Sequence, residues 1–199
     1  MAYADSVTLT LEGTGGVASG PGYVYPYYFS VNGSSTLTPL MCISFANDIS
    51  FGESWTANIV PVAGNTAYEE AAYIFSPAYA AGASESTIIE AQWADWELFD
   101  PGAAGSVPSQ YQSDVNSLIK QAELFVQKNP NASLYSHYQV YAPVDGSWPA
   151  GDGEPQFLIG DPPDVAPEPS SLVLLGSGLL GLAFFLYRRG RSAENPLHR

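Results

Sequence analysis

The chain has 199 residues, with six Lys or Arg against 20 Asp or Glu and a formal net charge of −14. A chain so poor in basic side chains is no nucleic-acid binder, because neutralising phosphates takes clustered Lys and Arg. Apolar content of 46%, with 13 Tyr, 9 Phe and 4 Trp, is too rich for a disordered chain, and 19 Gly with 16 Pro favour short strands and turns over a helical bundle.

In chain order, Met1-Ala2-Tyr3-Ala4 comes first. Ala2-Tyr3-Ala4 has the A-x-A form of a signal peptidase site without the apolar stretch that should precede it. Residues 1–4 are therefore expected to be the remnant of a signal peptide that starts upstream, with Asp5 as the first mature residue. An exported domain is expected over 5–159. Period-two or β-branched and aromatic runs predict strands at 7–11, 23–31, 36–45 and 55–62. Apolar spacing then turns helical. It predicts helices over 66–79, over 85–99 with Thr87 and Glu90 as a capping box, and over 108–128 with Asn129-Pro130 as the stop. Strands return at 133–141 and 156–159. The fold class is α+β: an antiparallel β-sandwich or barrel with a three-helix insertion.

Residues 160–169 read as a Pro-rich stalk. From Leu172 to Tyr187 no residue is charged, and with Ser170 and Ser171 the run is 18 residues long. At about 1.5 Å per residue that just crosses a hydrocarbon core of roughly 30 Å, so residues 170–187 are expected to form one transmembrane helix. Arg188, Arg189 and Arg191 follow at once and mark residues 188–199 as a basic cytoplasmic tail. The charge divides at this helix. Lys120 and Lys128 are the only basic residues before position 170, against 19 acids, so residues 1–169 carry −17; four arginines against Glu194 leave the tail at +3. Gly176, Gly178 and Gly181 match the G-x-G-x-x-G pattern, but no strand-helix unit surrounds them, and they read as small residues of a membrane helix.

The order Pro167-Glu168-Pro169, short Gly-containing apolar helix, Arg188-Arg189 resembles the PEP-CTERM sorting signal of bacteria that carry an exosortase. The resemblance covers residues 165–191. It implies export, transient anchoring in the inner membrane by the C-terminal helix, removal of that helix by the exosortase near the Pro-Glu-Pro, and a final place at the cell surface or outside the cell. Prolines suit such a site, since they hold the chain extended and withdraw helix hydrogen bonds.

Enzymatic templates are sparse. His137 is the one histidine of the exported part and is expected in a strand; no G-x-S-x-G, H-E-x-x-H or P-loop occurs. Acid pairs such as Glu69 with Glu70 or Asp95 with Glu97 are helix neighbours that point apart, so no catalytic residues, cofactor or metal are assigned. Asp145, Asp152 and Glu154 read as solvated turn acids without EF-hand spacing, and Asn32 and Asn131 head acceptor sequons.

The single cysteine, Cys42, lies in a core-like run, Leu40-Met41-Cys42-Ile43-Ser44-Phe45. Gln92 shares a helix face with Ile88, Ile89 and Trp96, so its amide is expected to be buried and to need partners. Cys42 on an early strand and Ala91-Gln92-Trp93-Ala94-Asp95-Trp96 on a later helix are similar to the thioester domains of Gram-positive surface adhesins. That resemblance implies a Cys42–Gln92 thioester that acylates surface amines. The sequence departs from the family pattern at Ala91 and at Asp95, and an acid there could raise the thiol pKa or admit water. The expectation is thus a non-catalytic adhesion or exopolysaccharide-associated module of the surface or biofilm matrix, with a covalent thioester adhesin as the alternative.

Overall fold

Strict alternation sets the first strand. In β1 (Ser6–Thr14), Val7, Leu9 and Leu11 are buried while Ser6, Thr8 and Glu12 face solvent, as a strand with one wet face requires. The computed structural model describes residues 6–20, 22–149 and 153–162. The expected signal-peptide remnant, the Pro-Glu-Pro motif, the apolar run and the basic tail lie outside the described residues. Among those described, no helix is long and apolar enough to cross a membrane.

After β1 come a short hairpin of β2 (Ala18–Ser19) and β3 (Gly22–Tyr23), then β4 (Tyr27–Val31), β5 (Leu37–Cys42) and β6 (Ser54–Pro61). Helices α1 (Thr66–Tyr79), α2 (Glu85–Phe99) and α3 (Gln112–Lys128) follow, before β7 (Gln139–Pro143) and β8 (Leu158–Gly160). Six strands close into an antiparallel barrel in the order β1, β4, β5, β8, β7, β6, with β6 returning to β1. The α+β class and the helical insertion between β6 and β7 are as expected, and closure decides the barrel over the sandwich. A barrel of six strands is too narrow to enclose a channel, so side chains fill it. Phe29 and Trp55 meet edge to face inside it, with centroids 5.7 Å apart.

Pro39 is tolerated in β5 because pairing with β8 begins only at Leu40, which lies against Gly160. That approach is close: a Cβ on Gly160 would sit 2.5 Å from Leu40 Cδ2 and 3.1 Å from the Pro39 carbonyl. Gly160 and Asp161 therefore belong to the barrel rather than to the stalk. The backbone carbonyl of Asp161 accepts from the Tyr141 hydroxyl at 2.6 Å, and its carboxylate accepts from the Tyr79 hydroxyl.

The helices start where side-chain oxygens can satisfy free N–H groups. Asn65 Oδ1 accepts from Ala67 and Tyr68 ahead of α1, at 3.1 and 3.3 Å. For α2 the cap is Ser84, whose Oγ accepts from the Thr87 N–H at 3.1 Å. The expected Thr87–Glu90 box is thus corrected by one turn: Thr87 lies inside the helix as a donor. Helix α3 begins at Gln112, four residues after the expected start, since Pro108 to Tyr111 are spent on a turn closed by the Tyr111 N–H and the Pro108 carbonyl.

A second correction concerns the expected strand at 133–141. Ser133–Ser136 is a 3-10 turn, and only Gln139–Pro143 pairs in the barrel. Tyr135 is buried and its hydroxyl donates to the Asn129 carbonyl at 2.9 Å, tying the turn to the end of α3. His137 follows that turn in helical conformation and is exposed, not part of a strand.

Helix α2 is the centre of the layout. It packs on α1 and α3 and also reaches β5, so Ala91 through Trp96 are all buried. Burial of large side chains such as Trp93 and Trp96 stabilises the junction by about 1.5–3 kcal/mol each.

Candidate functional site

The last residue of β5 and the middle of α2 meet at Cys42 and Gln92, both fully buried. Cys42 ends β5 after Leu40 and Met41, all three fully buried, at the strand that α2 reaches. Helical spacing then brings Gln92, Asp95 and Trp96 to the side of α2 that faces it. The Gln92 amide is spent on two backbone groups far apart in sequence. Its Oε1 accepts from the Tyr25 N–H at 3.1 Å, and its Nε2 donates to the Cys42 carbonyl. The Cys42 thiol donates to the Ser44 carbonyl at 3.1 Å, and its sulfur accepts from the Trp96 indole N–H at 3.4 Å. Beside it, Trp93 Nε1 donates to Ser19 Oγ at 2.8 Å. Phe45 closes the pocket against both indoles, with centroids 5.7 and 5.3 Å away.

The two residues singled out in the sequence are therefore brought together, and the expected burial of Gln92 holds. Sequence reasoning did not reach the Trp96 contact on the sulfur or the Tyr25 anchor. The first had a signal, since Trp96 stands one turn from Gln92 on the same face. The second is a backbone N–H, which no side-chain pattern reports.

Burial dominates the electrostatics of the site. Burial pushes the Cys42 thiol up to about 12, and the opposing indole N–H of Trp96 offsets only part of that rise. Asp95 is also fully buried, and neither carboxyl oxygen has a hydrogen-bond partner among the described residues. Burial holds its carboxyl well above the usual carboxylate range and favours the protonated form. Two small cavities flank the pocket. One of about 250 Å³ is lined by Ile43, Ser44, Tyr68 and Phe99, and one of about 170 Å³ by Tyr27, Phe45, Asp48 and Trp96.

This arrangement has some of what acyl transfer from Gln92 to Cys42 requires. The Tyr25 N–H polarises the Gln92 carbonyl as an oxyanion donor would, while the thiol is held in its unreactive protonated form.

The remaining candidates do not converge. Glu69 is buried and accepts from the Gly64 N–H at 2.9 Å, an anchoring role beside the α1 cap. Glu70 is its helix neighbour and is only half-buried. Asp145 and Glu154 are exposed, and Asp152 lies outside the described residues. Asn32, of the first sequon, is engaged with the barrel: its Oδ1 accepts from the Thr8 N–H at 2.8 Å. Asn131, of the second, is exposed. Among the described residues no group of three or more His, Cys, Asp or Glu could hold a metal ion. The sorting-signal residues Pro167, Glu168, Pro169, Arg188 and Arg189 lie outside the described residues.

No curated protein and no solved structure matches the chain. Residues 165–189 match the family model of the PEP-CTERM protein-sorting motif, within the span marked by Pro167-Glu168-Pro169 and the arginines. The chain thus carries a PEP-CTERM protein-sorting motif at residues 165–189.

Proposed function

We propose that the chain is an exported surface or extracellular-matrix protein that is held briefly in the inner membrane by residues 170–187, cut by an exosortase near Pro167-Glu168-Pro169, and then works as a non-catalytic adhesion or exopolysaccharide-associated module. The sorting-motif match at residues 165–189 carries this reading. Support for a non-catalytic role comes from the site chemistry: burial pushes up the pKa of both the Cys42 thiol and the Asp95 carboxyl, which disfavours the thiolate nucleophile and the carboxylate base. Residues 1–169, carrying −17, stay in solution and avoid anionic surfaces, which suits neutral material outside the cell.

The test is processing in a host with and without its exosortase. The wild-type chain should lose the mass of its tail and leave the membrane fraction only when the exosortase is present. A triple change, Pro167→Ala, Glu168→Ala and Pro169→Ala, should leave the full-length chain in the membrane. Release of that variant at the wild-type rate would overturn the reading. Incubation of the released form with host exopolysaccharide should then give binding without turnover.

A second reading, a covalent adhesin with a Cys42–Gln92 thioester, is favoured by one observation, the hydrogen bond from the Gln92 side-chain amide to the Cys42 backbone carbonyl, which holds two fully buried residues together. The reaction joins the Cys42 sulfur to the Gln92 carbonyl carbon and expels the side-chain nitrogen as ammonia, which takes up the thiol proton. Intact mass of the purified chain decides it. A deficit of one ammonia, restored on treatment with methylamine as the adduct mass, supports the thioester, and full theoretical mass ends it.

A further inference from the structure

On the face of α2 turned away from Cys42, the three helices leave an open groove of about 800 Å³. Its walls differ in character. Tyr73 of α1 and Phe125 of α3 form an aromatic wall, with ring centroids 4.7 Å apart and planes tilted by 32°, and Leu118 and Leu134 extend it. Glu90 of α2 and Asp114 of α3 supply the acidic side. Neither carboxylate has an ion-pair or hydrogen-bond partner among the described residues. Partial burial raises the Glu90 pKa, and repulsion from Asp114 adds to the rise. The groove thus holds two unneutralised negative charges beside an aromatic surface, in a domain whose whole field is negative.

We propose that this groove binds an organic cation, an amine-bearing ligand whose ammonium group lies between Glu90 and Asp114 and whose apolar body covers Tyr73 and Phe125. Charge complementarity selects this occupant. An anionic ligand meets both carboxylates and the −17 of residues 1–169, and a neutral one leaves the repulsion between the two acids in place. An ammonium group relieves that repulsion and is attracted by the aromatic quadrupoles as well. Ser76, Thr87, Ser117 and Gln121 on the rim offer hydrogen-bond acceptors for its N–H groups. The sorting-signal reading is independent of this site, and either stands if the other fails.

The probe is phenethylammonium, with 2-phenylethanol as its neutral counterpart of the same shape, titrated by calorimetry into the full-length chain in neutral detergent. Phenethylammonium should bind roughly tenfold more tightly than 2-phenylethanol, and the preference should shrink as salt rises. The double variant Glu90→Gln and Asp114→Asn should bind the two probes alike. Ser117→Lys, at an exposed position where the fold tolerates change, should abolish amine binding with the unfolding midpoint unchanged. Equal binding of the two probes to the wild-type chain would make the groove a plain apolar cleft and overturn the proposal, as would no binding of either. Tighter binding of a neutral oligosaccharide than of phenethylammonium would replace it with a glycan site. Self-association removed by Ser117→Lys would replace it with a contact between copies of this chain.

Discussion

The backbone N–H of Tyr25 donates to Gln92 Oε1 at 3.1 Å across 67 positions of sequence, and through this one side chain the segment before β4 is fastened to α2 and on to the end of β5. Both backbone groups are buried at the junction, so their partner cannot be replaced by water without opening the pocket. Gln92→Ala strands the Tyr25 N–H and the Cys42 carbonyl together. A buried unsatisfied polar group costs about 1–3 kcal/mol, which puts the expected loss of stability at about 2–5 kcal/mol. Gln92→Met fills the volume but leaves the same two groups stranded, and should recover only the packing share. Urea unfolding of the three proteins checks this: a Met variant as stable as wild type would show that packing, not hydrogen bonding, is what the position supplies.

Asp95 makes stability fall as pH rises. In the unfolded chain its carboxyl ionises near pH 4, whereas burial in the folded chain keeps it protonated well above that value. Between the two pKa values the folded state holds a proton that the unfolded state has lost, so its stability is greatest below pH 4. The loss runs at up to about 1.4 kcal/mol per pH unit until the folded pKa is passed. Asp95→Asn keeps the shape and removes the titration. Glu70 and Glu90 are shifted in the same direction, so the wild-type slope should be reduced rather than abolished in this variant. Unfolding free energies measured from pH 4 to pH 8 should diverge, with the Asp95→Asn variant increasingly the more stable protein; parallel curves would sink the assignment.

Cys42 should be inert in the folded chain. Its sulfur is fully buried, and its pKa of about 12 leaves almost no thiolate at neutral pH. A disulfide reagent such as dithionitrobenzoate should react with it only through local or global opening, at a rate that rises with urea. Fast stoichiometric reaction of the native protein would contradict the closed pocket. No reaction even after denaturation would mean that the thiol is already consumed, which is the outcome the thioester requires.

Much of this architecture is legible before the fold is known, because one-sided burial leaves a periodic trace. Val7, Leu9 and Leu11 alternate, and Gln92 shares a helix face with Ile88, Ile89 and Trp96, so β1 and the buried amide can both be read from spacing. The misreadings occur where a contact distant in sequence decides. Ser133–Ser136 alternates like a strand, but the Tyr135 hydroxyl finds the Asn129 carbonyl and the segment turns into a 3-10 coil. Asp95 does raise the thiol pKa as its place beside Gln92 suggests, but its own full burial is not legible: α2 is enclosed by β5, α1 and α3, and that enclosure pushes the Asp95 carboxyl well above the usual carboxylate range. The acidic groove between the helices leaves no signal at all, since Glu90 and Asp114 come from different helices and meet only once those helices have packed.

The hairpin of β2 and β3 depends on Gly20 in the same way that closure of the barrel depends on Gly160. Gly20 has φ of +66°, a left-handed conformation that costs a side-chain-bearing residue about 1–2 kcal/mol, and a Cβ there would lie 2.8 Å from Trp93 Cζ2. The indole cannot step aside freely, because its N–H is held by Ser19 one residue earlier. Gly20→Ala therefore combines backbone strain with displacement of a core tryptophan and should destabilise by about 2–4 kcal/mol. Gly13→Ala, where nothing lies within 4 Å of the added carbon, is the control and should cost less than about 1 kcal/mol. Tryptophan fluorescence separates the two contributions in Gly20→Ala. A shifted emission maximum in the folded state reports movement of Trp93, and loss of stability with unchanged emission would assign the whole cost to the backbone.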